Sequence, residues 1–83
     1  MQPLPLAQPQ SCRQLLQQRL QKYHWSATFH VEVDGPQHDQ KWRGAFRIRD
    51  VVVGVSGWES SKDGAKEAAA RSALGWLNQY GYH

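Results

Sequence analysis

The sequence predicts an α+β domain in the order α-β-β-β-α, in which two helices pack on one face of a three-stranded antiparallel sheet. Two observations predict this fold class. Apolar residues recur at helical spacing near both ends of the chain, and between those segments they alternate with polar residues as in half-buried strands. The loops between the strands are short, which is typical of an antiparallel meander with one covered face.

The first helix is predicted over residues 12–23. Ser11 is a candidate N-cap, and Gln14 stands at the spacing of a capping box. One apolar stripe follows at helical spacing, formed by Cys12, Leu15, Leu16, Leu20 and Tyr23. Residues 1–10 hold three prolines and three glutamines, so we predict a disordered lead-in before a domain over 11–83.

The three strands are predicted over residues 28–34, 41–49 and 51–55. Asp34-Gly35-Pro36 ends the first strand, and a tight turn near Arg49-Asp50 separates the second strand from the β-branched third. Alternation along the second strand predicts one apolar face and one charged face.

A second helix is predicted after Ser60, with residues at helical spacing through Tyr80. Alanines near its start predict a close approach to the sheet, while Trp76 and Tyr80 are predicted to fill space at its far end. Asp63 lies in the first turn, where it is predicted to complete a capping box with Ser60.

Composition and charge narrow the possible functions. The 83 residues suit one small domain, and a net charge of +3 weakly favours an anionic partner. Bases are concentrated toward the ends: residues 11–25 hold three bases and no acid, whereas residues 26–61 hold four bases and five acids. The single cysteine, Cys12, excludes an internal disulfide. No apolar run reaches membrane length, so we expect an intracellular protein, in cytoplasm or nucleus, without a membrane partner.

The sequence offers no catalytic or cofactor site. The histidines are scattered without metal-ligand spacing, at His24, His30, His38 and His83. Cys12 lies on the apolar stripe, where a buried thiol is the expected role, and Ser60 and Ser61 precede a helix as caps do. We therefore predict that the protein is not an enzyme and binds no cofactor or metal.

Three groups of residues are candidates for binding. Lys62 and Lys66 share one side of the second helix near its N-terminus, where unpaired N–H groups suit a phosphate. The loop Gly35-Pro36-Gln37-His38 places an imidazole at a tip between strands. Gln14 and Gln18 lie off the apolar stripe and offer amide donors and acceptors. Taken singly, the lysines are better explained as solvated charge and the glutamines as polar helix surface, and the alternative for the loop is a plain turn.

Taken together, these groups resemble the double-stranded RNA-binding domain. The resemblance covers about residues 11–80 and includes Leu16–Lys22 in the first helix. It also rests on the Gly35–His38 loop and on the second-helix pattern Ser61-Lys62-x-x-Ala65-Lys66-x-x-Ala69-Ala70. A Gly-Pro-x-His loop followed at this distance by that helix is more specific than either part. The α-β-β-β-α order is also that of the family.

The resemblance implies that the domain binds duplex RNA by shape, without marked sequence specificity, along about 16 base pairs. Gln18 and Gln14 would enter one minor groove. The backbone of Gly35-Pro36-Gln37 and the side chain of His38 would enter the next. Lys62 and Lys66 would bridge the phosphates of the major groove between them.

Gln18 stands where the family often has Glu, and a second departure from the family pattern matters more. The family usually has two adjacent lysines where this chain has Lys62-Asp63. The exchange places a carboxylate near the phosphates, which we expect to lower RNA affinity by about 1–2 kcal/mol. The alternative is that the fold serves protein–protein interaction or homodimerisation, for which Trp25 and Trp58 are candidate contact residues.

Overall fold

A computed structural model describes residues 10–83. Its elements follow the predicted order, and their bounds are α1 (Cys12–Lys22), β1 (Ala27–Asp34), β2 (Lys41–Ile48), β3 (Val51–Val55) and α2 (Lys62–Gln79). The predicted α+β class with the order α-β-β-β-α is confirmed. β2 ends one residue before the predicted end because Arg49 takes a positive φ of 55° in the turn. Residues 1–9 of the predicted lead-in lie outside the described residues.

The strands form one antiparallel sheet in the order β1-β2-β3. β1 and β2 pair without interruption from Ala27 opposite Ile48 to Asp34 opposite Lys41. The pairing of β2 with β3 shifts by one residue, so that Val53 is an extra residue in β3. This β-bulge turns Val53 into the core, while Val52 stays exposed on the other side of the strand.

α2 lies against the sheet through a row of fully buried alanines, Ala65, Ala69, Ala70 and Ala73. The approach is so close that a Cβ on Gly54 would collide with the carbonyl oxygen of Ala69 and lie 2.5 Å from the backbone nitrogen of Ala73. Leu16 and Leu20 of α1 complete this core with Phe46 and Leu77. The predicted close contact between the alanines of α2 and the sheet is therefore present.

The start of α1 is held by two side chains. The predicted capping box is present: the Ser11 hydroxyl accepts the Gln14 N–H at 3.1 Å, and Gln14 Oε1 accepts the Ser11 N–H at 3.0 Å. The Glu67 carboxylate of α2 accepts the backbone N–H groups of Cys12 at 2.7 Å and Arg13 at 3.2 Å. Every backbone donor in the first turn of α1 therefore has an acceptor, and the other helix supplies the acceptors for two of them.

Of the two candidate caps of α2, Ser61 serves, and the predicted capping box between Ser60 and Asp63 is wrong. The N-cap is Ser61, whose hydroxyl accepts the N–H of Gly64 at 2.9 Å. Gly64 thus takes the position at which a capping-box carboxylate would stand, so Asp63 cannot complete a box with Ser60. Its carboxylate instead lies 3.6 Å from the Arg13 guanidinium.

The predicted role of Tyr80 as a core residue is also wrong. Tyr80 is exposed and packs at a tilt against Trp76, with ring centroids 4.6 Å apart. The chain reverses at Gly81, which takes a φ of +85°, and Tyr82 returns to the domain. Tyr82 packs edge-on against Trp25 at 4.7 Å, so Tyr82 fills this end in place of Tyr80.

Leu15 lies on the predicted apolar stripe but is exposed. Leu16 and Leu20 are the residues of α1 that are buried, so the buried stripe is narrower than predicted. Cys12 is half-buried and packs against the core.

The close contact at Gly54 predicts that a larger residue at this position destabilises the fold. Gly54→Ala is expected to lower the free energy of unfolding by about 1–3 kcal/mol, because the added methyl group meets helix backbone that must shift. Gly75→Ala is the matched control, since a Cβ there meets nothing within 4 Å. It lies inside α2 and is expected to raise stability by about 0.5–1 kcal/mol. Urea unfolding measures both variants, and unchanged stability of Gly54→Ala would contradict the close contact.

The hydrogen bonds of Glu67 predict that the stability of the fold depends on pH. Hydrogen bonds from the Cys12 and Arg13 backbone, aided by the Arg13 charge, hold the pKa of Glu67 below its ordinary value of 4.5. A depressed folded-state pKa means that the stabilisation is fully present above about pH 4.5 and is lost as the pH falls through the folded pKa. Glu67→Gln is therefore expected to lower the free energy of unfolding by about 1–3 kcal/mol at pH 7.

The same substitution is expected to cause a smaller loss as the pH falls through the folded-state pKa of Glu67, because the wild-type carboxylate is then itself protonated. The control is Glu32→Gln, which removes a carboxylate from an exposed pair with Arg43 and is expected to change stability by less than about 1 kcal/mol. Unfolding curves collected from pH 3 to 7 check both variants. A Glu67→Gln protein with the wild-type pH dependence would show that this carboxylate does not hold the helices together.

Candidate nucleic-acid interface

The loop between β1 and β2 contains a hydrogen-bonded β-turn. Gly35 takes a φ of +95°, and a Cβ at this position would lie 2.6 Å from the carbonyl oxygen of Asp39. The Asp39 N–H donates to the Pro36 carbonyl at 2.8 Å, which places Gln37 and His38 at the two central positions of a β-turn. Residues 35–38 are all exposed. The turn therefore presents the His38 imidazole at the tip of the hairpin, as predicted from the sequence.

The start of α2 is tied to the same end of the sheet. Trp42 and Glu59 exchange two backbone hydrogen bonds of 2.8 and 2.7 Å, which form an isolated bridge between β2 and the segment before α2. Trp42 directly follows the first residue of β2, where the loop ends, and Glu59 lies just before the cap of α2. Lys62 therefore begins its helix at the end of the sheet that carries the His38 turn. The sequence predicted a plain loop at residues 57–60 and did not reveal this bridge.

A second group of candidate residues lines one groove between α1, the start of α2 and the sheet. Gln14, Gln18 and Lys66 lie on the walls of this groove, which has a volume of about 730 Å³. Arg13 and Gln17 line it as well. The structure therefore brings together three of the predicted site residues, from two helices that are far apart in the sequence.

Lys66 is positioned by an aromatic ring. Its Nζ lies 5.5 Å from the centroid of the Phe29 ring, and the lysine is half-buried. Phe29 in turn covers Gly44, where any Cβ would collide with the ring, and packs against Phe46 at 4.9 Å between centroids. The contact restrains the side chain of Lys66 and leaves its ammonium group at the groove.

Charge pairing separates the basic residues into two sets. Arg13, Lys41 and Arg43 each have a carboxylate within 4.0 Å. Among residues 10–83, no carboxylate lies within that distance of Lys62 or Lys66. These two ammonium groups are therefore available to an anion without first breaking an ion pair.

The capping box limits what Gln14 can offer. Its Oε1 already accepts the Ser11 N–H, so the amide nitrogen is the free donor of that side chain. Gln18 makes no hydrogen bond within residues 10–83 and is exposed, so its amide can both donate and accept. Besides the Arg13 guanidinium, the wall of the groove formed by α1 thus presents hydrogen-bonding groups without formal charge.

Other kinds of site find little support within residues 10–83. No three metal-ligating side chains come close enough to hold a metal ion in that part of the chain. None of the helices there is both long and apolar enough to cross a bilayer.

These features define a small α+β binding domain, with polar and basic groups along one groove, at one hairpin tip and at one helix start. Residues 12–77 match the family model described as the double-stranded RNA binding motif. Because that match spans most of the chain, the chain belongs to the double-stranded RNA binding motif family, and the resemblance seen in the sequence is confirmed. The family consists of binding domains and not of enzymes.

Solved structures share the fold. The structure of Arabidopsis HYL1, described for its implications for miRNA processing, matches with a TM-score of 0.74 and 23% identity, over 81% of this chain and 96% of that one. The first double-stranded RNA-binding domain of HYL1 matches with a TM-score of 0.69 and 24% identity, over 78% of this chain and 93% of that one.

A DRB4 structure with both of its double-stranded RNA-binding domains and their linker matches with a TM-score of 0.69 and 20% identity. The match covers 83% of this chain and 46% of that one. No curated protein sequence matches the chain.

Proposed function

We propose that this domain binds double-stranded RNA by shape, through 2′-hydroxyl and phosphate contacts and without marked sequence specificity. The observation that carries the proposal is the gathering of Gln14, Gln18 and Lys66 on one groove, with the His38 turn and Lys62 at one end of the sheet. Family membership supports the same partner.

The role proposed for α1 is contact with one minor groove. The minor groove of A-form RNA is wide and shallow and is lined with 2′-hydroxyls, which both donate and accept hydrogen bonds. Gln18 suits such groups because its amide is uncharged and free to do both. Gln14 would contribute its amide nitrogen as a donor.

The role proposed for the hairpin tip is contact with the next minor groove. Gly35 lets the backbone turn tightly, and Pro36 limits its flexibility. The exposed backbone from Gly35 to Gln37 and the His38 imidazole would approach the sugar edges. One rigid domain would then contact two successive minor grooves, along a total span of about 16 base pairs.

The role proposed for Lys62 and Lys66 is contact with the phosphates of the major groove between those two sites. Both ammonium groups lack a carboxylate partner within residues 10–83, so binding a phosphate requires no competing pair to break. Ammonium groups bind phosphates as point charges and carry no sequence information.

The proposal is tested by titration of RNA and DNA duplexes of equal sequence and about 20 base pairs, longer than the span of about 16 that the fold covers. RNA is expected to bind more tightly because DNA lacks the 2′-hydroxyls and the A-form groove spacing. Fluorescence anisotropy at moderate salt measures both affinities. Equal affinity for the two duplexes, or no binding to RNA, would contradict the proposal.

Lys66 gives a second, residue-level test. Lys66→Met keeps an apolar stem beside Phe29 and removes the charge, and it is expected to weaken RNA binding about five-fold. The slope of log K against log salt is expected to fall by about one, as for a lost phosphate contact. Arg71→Met is the matched control, because it removes one charge from the exposed side of the same helix, outside the groove. Equal effects of the two substitutions would argue against a phosphate contact at Lys66.

A second candidate function, protein–protein interaction or homodimerisation, is favoured by a different surface. β3 is an edge strand with Val51, Val52 and Val55 exposed, and Trp58 is exposed nearby in sequence. An exposed apolar edge strand is a surface on which another chain can pair. Trp25 no longer supports this candidate, since it packs against the core. Sedimentation over a range of concentrations without RNA tests it, and a monomer throughout would exclude the homodimer.

A further inference from the structure

Arg13 occupies a position that the sequence did not single out. Its Nε lies 3.3 Å from Glu67 Oε1, and its Nη1 lies 3.6 Å from Asp63 Oδ1. The guanidinium of α1 is thereby held on the first turns of α2. Its side chain remains 41% exposed and lines the groove together with Gln14 and Lys66.

Asp63 accepts no hydrogen bond from another residue within residues 10–83, although it lies in the first turn of α2, where a carboxylate favours the helix dipole. Ser61, not Asp63, supplies the side-chain cap of α2. The Asp63 side chain is 86% exposed, and Arg13 is the one cation within 4.0 Å of it in this part of the chain. The two oxygens of Glu67 already accept backbone N–H groups, so Asp63 is the carboxylate whose main interaction is with the guanidinium.

We infer that Arg13 is a phosphate-binding residue of the RNA surface and that Asp63 is the residue that positions it. The inference rests on the proposed function. A guanidinium carries five N–H donors in a planar fork that suits phosphate, and the contacts to Asp63 and Glu67 involve only Nη1 and Nε. The basic group missing at position 63 is thus supplied from α1, across the helix interface.

This arrangement changes the expected effect of Asp63. An isolated carboxylate beside a phosphate backbone repels it, so its removal would tighten binding. When the carboxylate lies 3.6 Å from the Arg13 guanidinium, that charge offsets part of its repulsion, and its removal also releases one of the two contacts that hold the guanidinium. The two consequences of removing Asp63 oppose each other when Arg13 is present, and only the first remains when Arg13 is absent.

A double-mutant cycle separates these cases, with about 20 base pairs of RNA duplex as the probe. Arg13→Gln is expected to weaken binding about five-fold and to lower the salt slope by about one. Asp63→Asn alone is expected to change the affinity by less than about two-fold, whereas the same substitution in the Arg13→Gln protein is expected to tighten binding about three-fold.

Two controls guard against a merely structural effect. Arg47→Gln removes one charge from the face of the sheet opposite the helices, and it is expected to have a smaller effect on affinity and salt slope than Arg13→Gln. Arg13→Lys keeps the charge without the fork, and it is expected to keep most of the salt slope while losing part of the affinity. Thermal unfolding of each variant shows whether the fold is intact.

Three outcomes decide the matter. Equal tightening by Asp63→Asn with and without Arg13 would show that Asp63 acts alone, by repulsion, and would overturn the inference. An Arg13→Gln effect no larger than that of Arg47→Gln would overturn it as well. Both results would leave duplex-RNA binding itself intact. A wild-type protein that does not prefer RNA over DNA would instead overturn the proposed function and the role of Arg13 with it.

Discussion

The Glu67 carboxylate fixes the relation between the two helices on which most of the candidate interface depends. It accepts two backbone N–H groups from the start of α1 and also lies beside the Arg13 guanidinium. An ordinary helix terminus would be satisfied by water or by its own cap. Here the terminus is satisfied by the neighbouring helix, so Gln14 and Gln18 cannot shift relative to Lys66 without losing charge-assisted hydrogen bonds.

The remaining geometry follows from how closely α2 lies on the sheet. Gly54 and the buried alanines remove the side-chain volume that would separate helix and strand, and the Trp42–Glu59 bridge holds the segment that leads into the helix. A change in either contact would move Lys62 relative to the His38 turn. Because the proposed RNA sites lie on successive grooves, recognition by shape requires that distance to be constant. Under the proposed function, the stability of the core and the recognition of the duplex would therefore depend on the same contacts.

The sequence predicted the elements well because helix and strand periodicity is local. The alternation around Phe29 and the alanine spacing of α2 each indicate which face of the element is buried, whichever element packs against that face. Contacts between residues that are distant in the sequence leave no periodic pattern, so they could not be predicted in this way. The Arg13–Asp63 pair, the Trp42–Glu59 bridge and the extra residue Val53 depend on how the elements are brought together.

The two errors at helix ends have related causes. Ser60 and Ser61 are equally good caps by residue type, and only the backbone geometry decides that Ser61 serves. Tyr80 kept the helical spacing, but the turn at Gly81 delivers Tyr82 to the core in its place. For the candidate site, residue type and spacing suggested Gln14, Gln18, Lys66 and the turn. That they share a groove or an end of the sheet could be seen only in the fold.

The net charge of +3 is a poor guide to the electrostatics of this domain. Ion pairs neutralise Lys41 and Arg43 against Asp39 and Glu32, and an exposed pair contributes little field beyond about a Debye length. Lys62 and Lys66 remain unpaired within residues 10–83. The same holds for Arg47, Arg49 and Arg71, which are exposed elsewhere on the surface and have no carboxylate within 4.0 Å in this part of the chain. An anion approaching the start of α2 therefore meets two ammonium groups without carboxylate partners, beside a carboxylate that has one cation near it. On that basis the carboxylate at position 63 is best understood through the guanidinium beside it, because a nearby cation offsets part of the repulsion that an isolated carboxylate exerts on a phosphate.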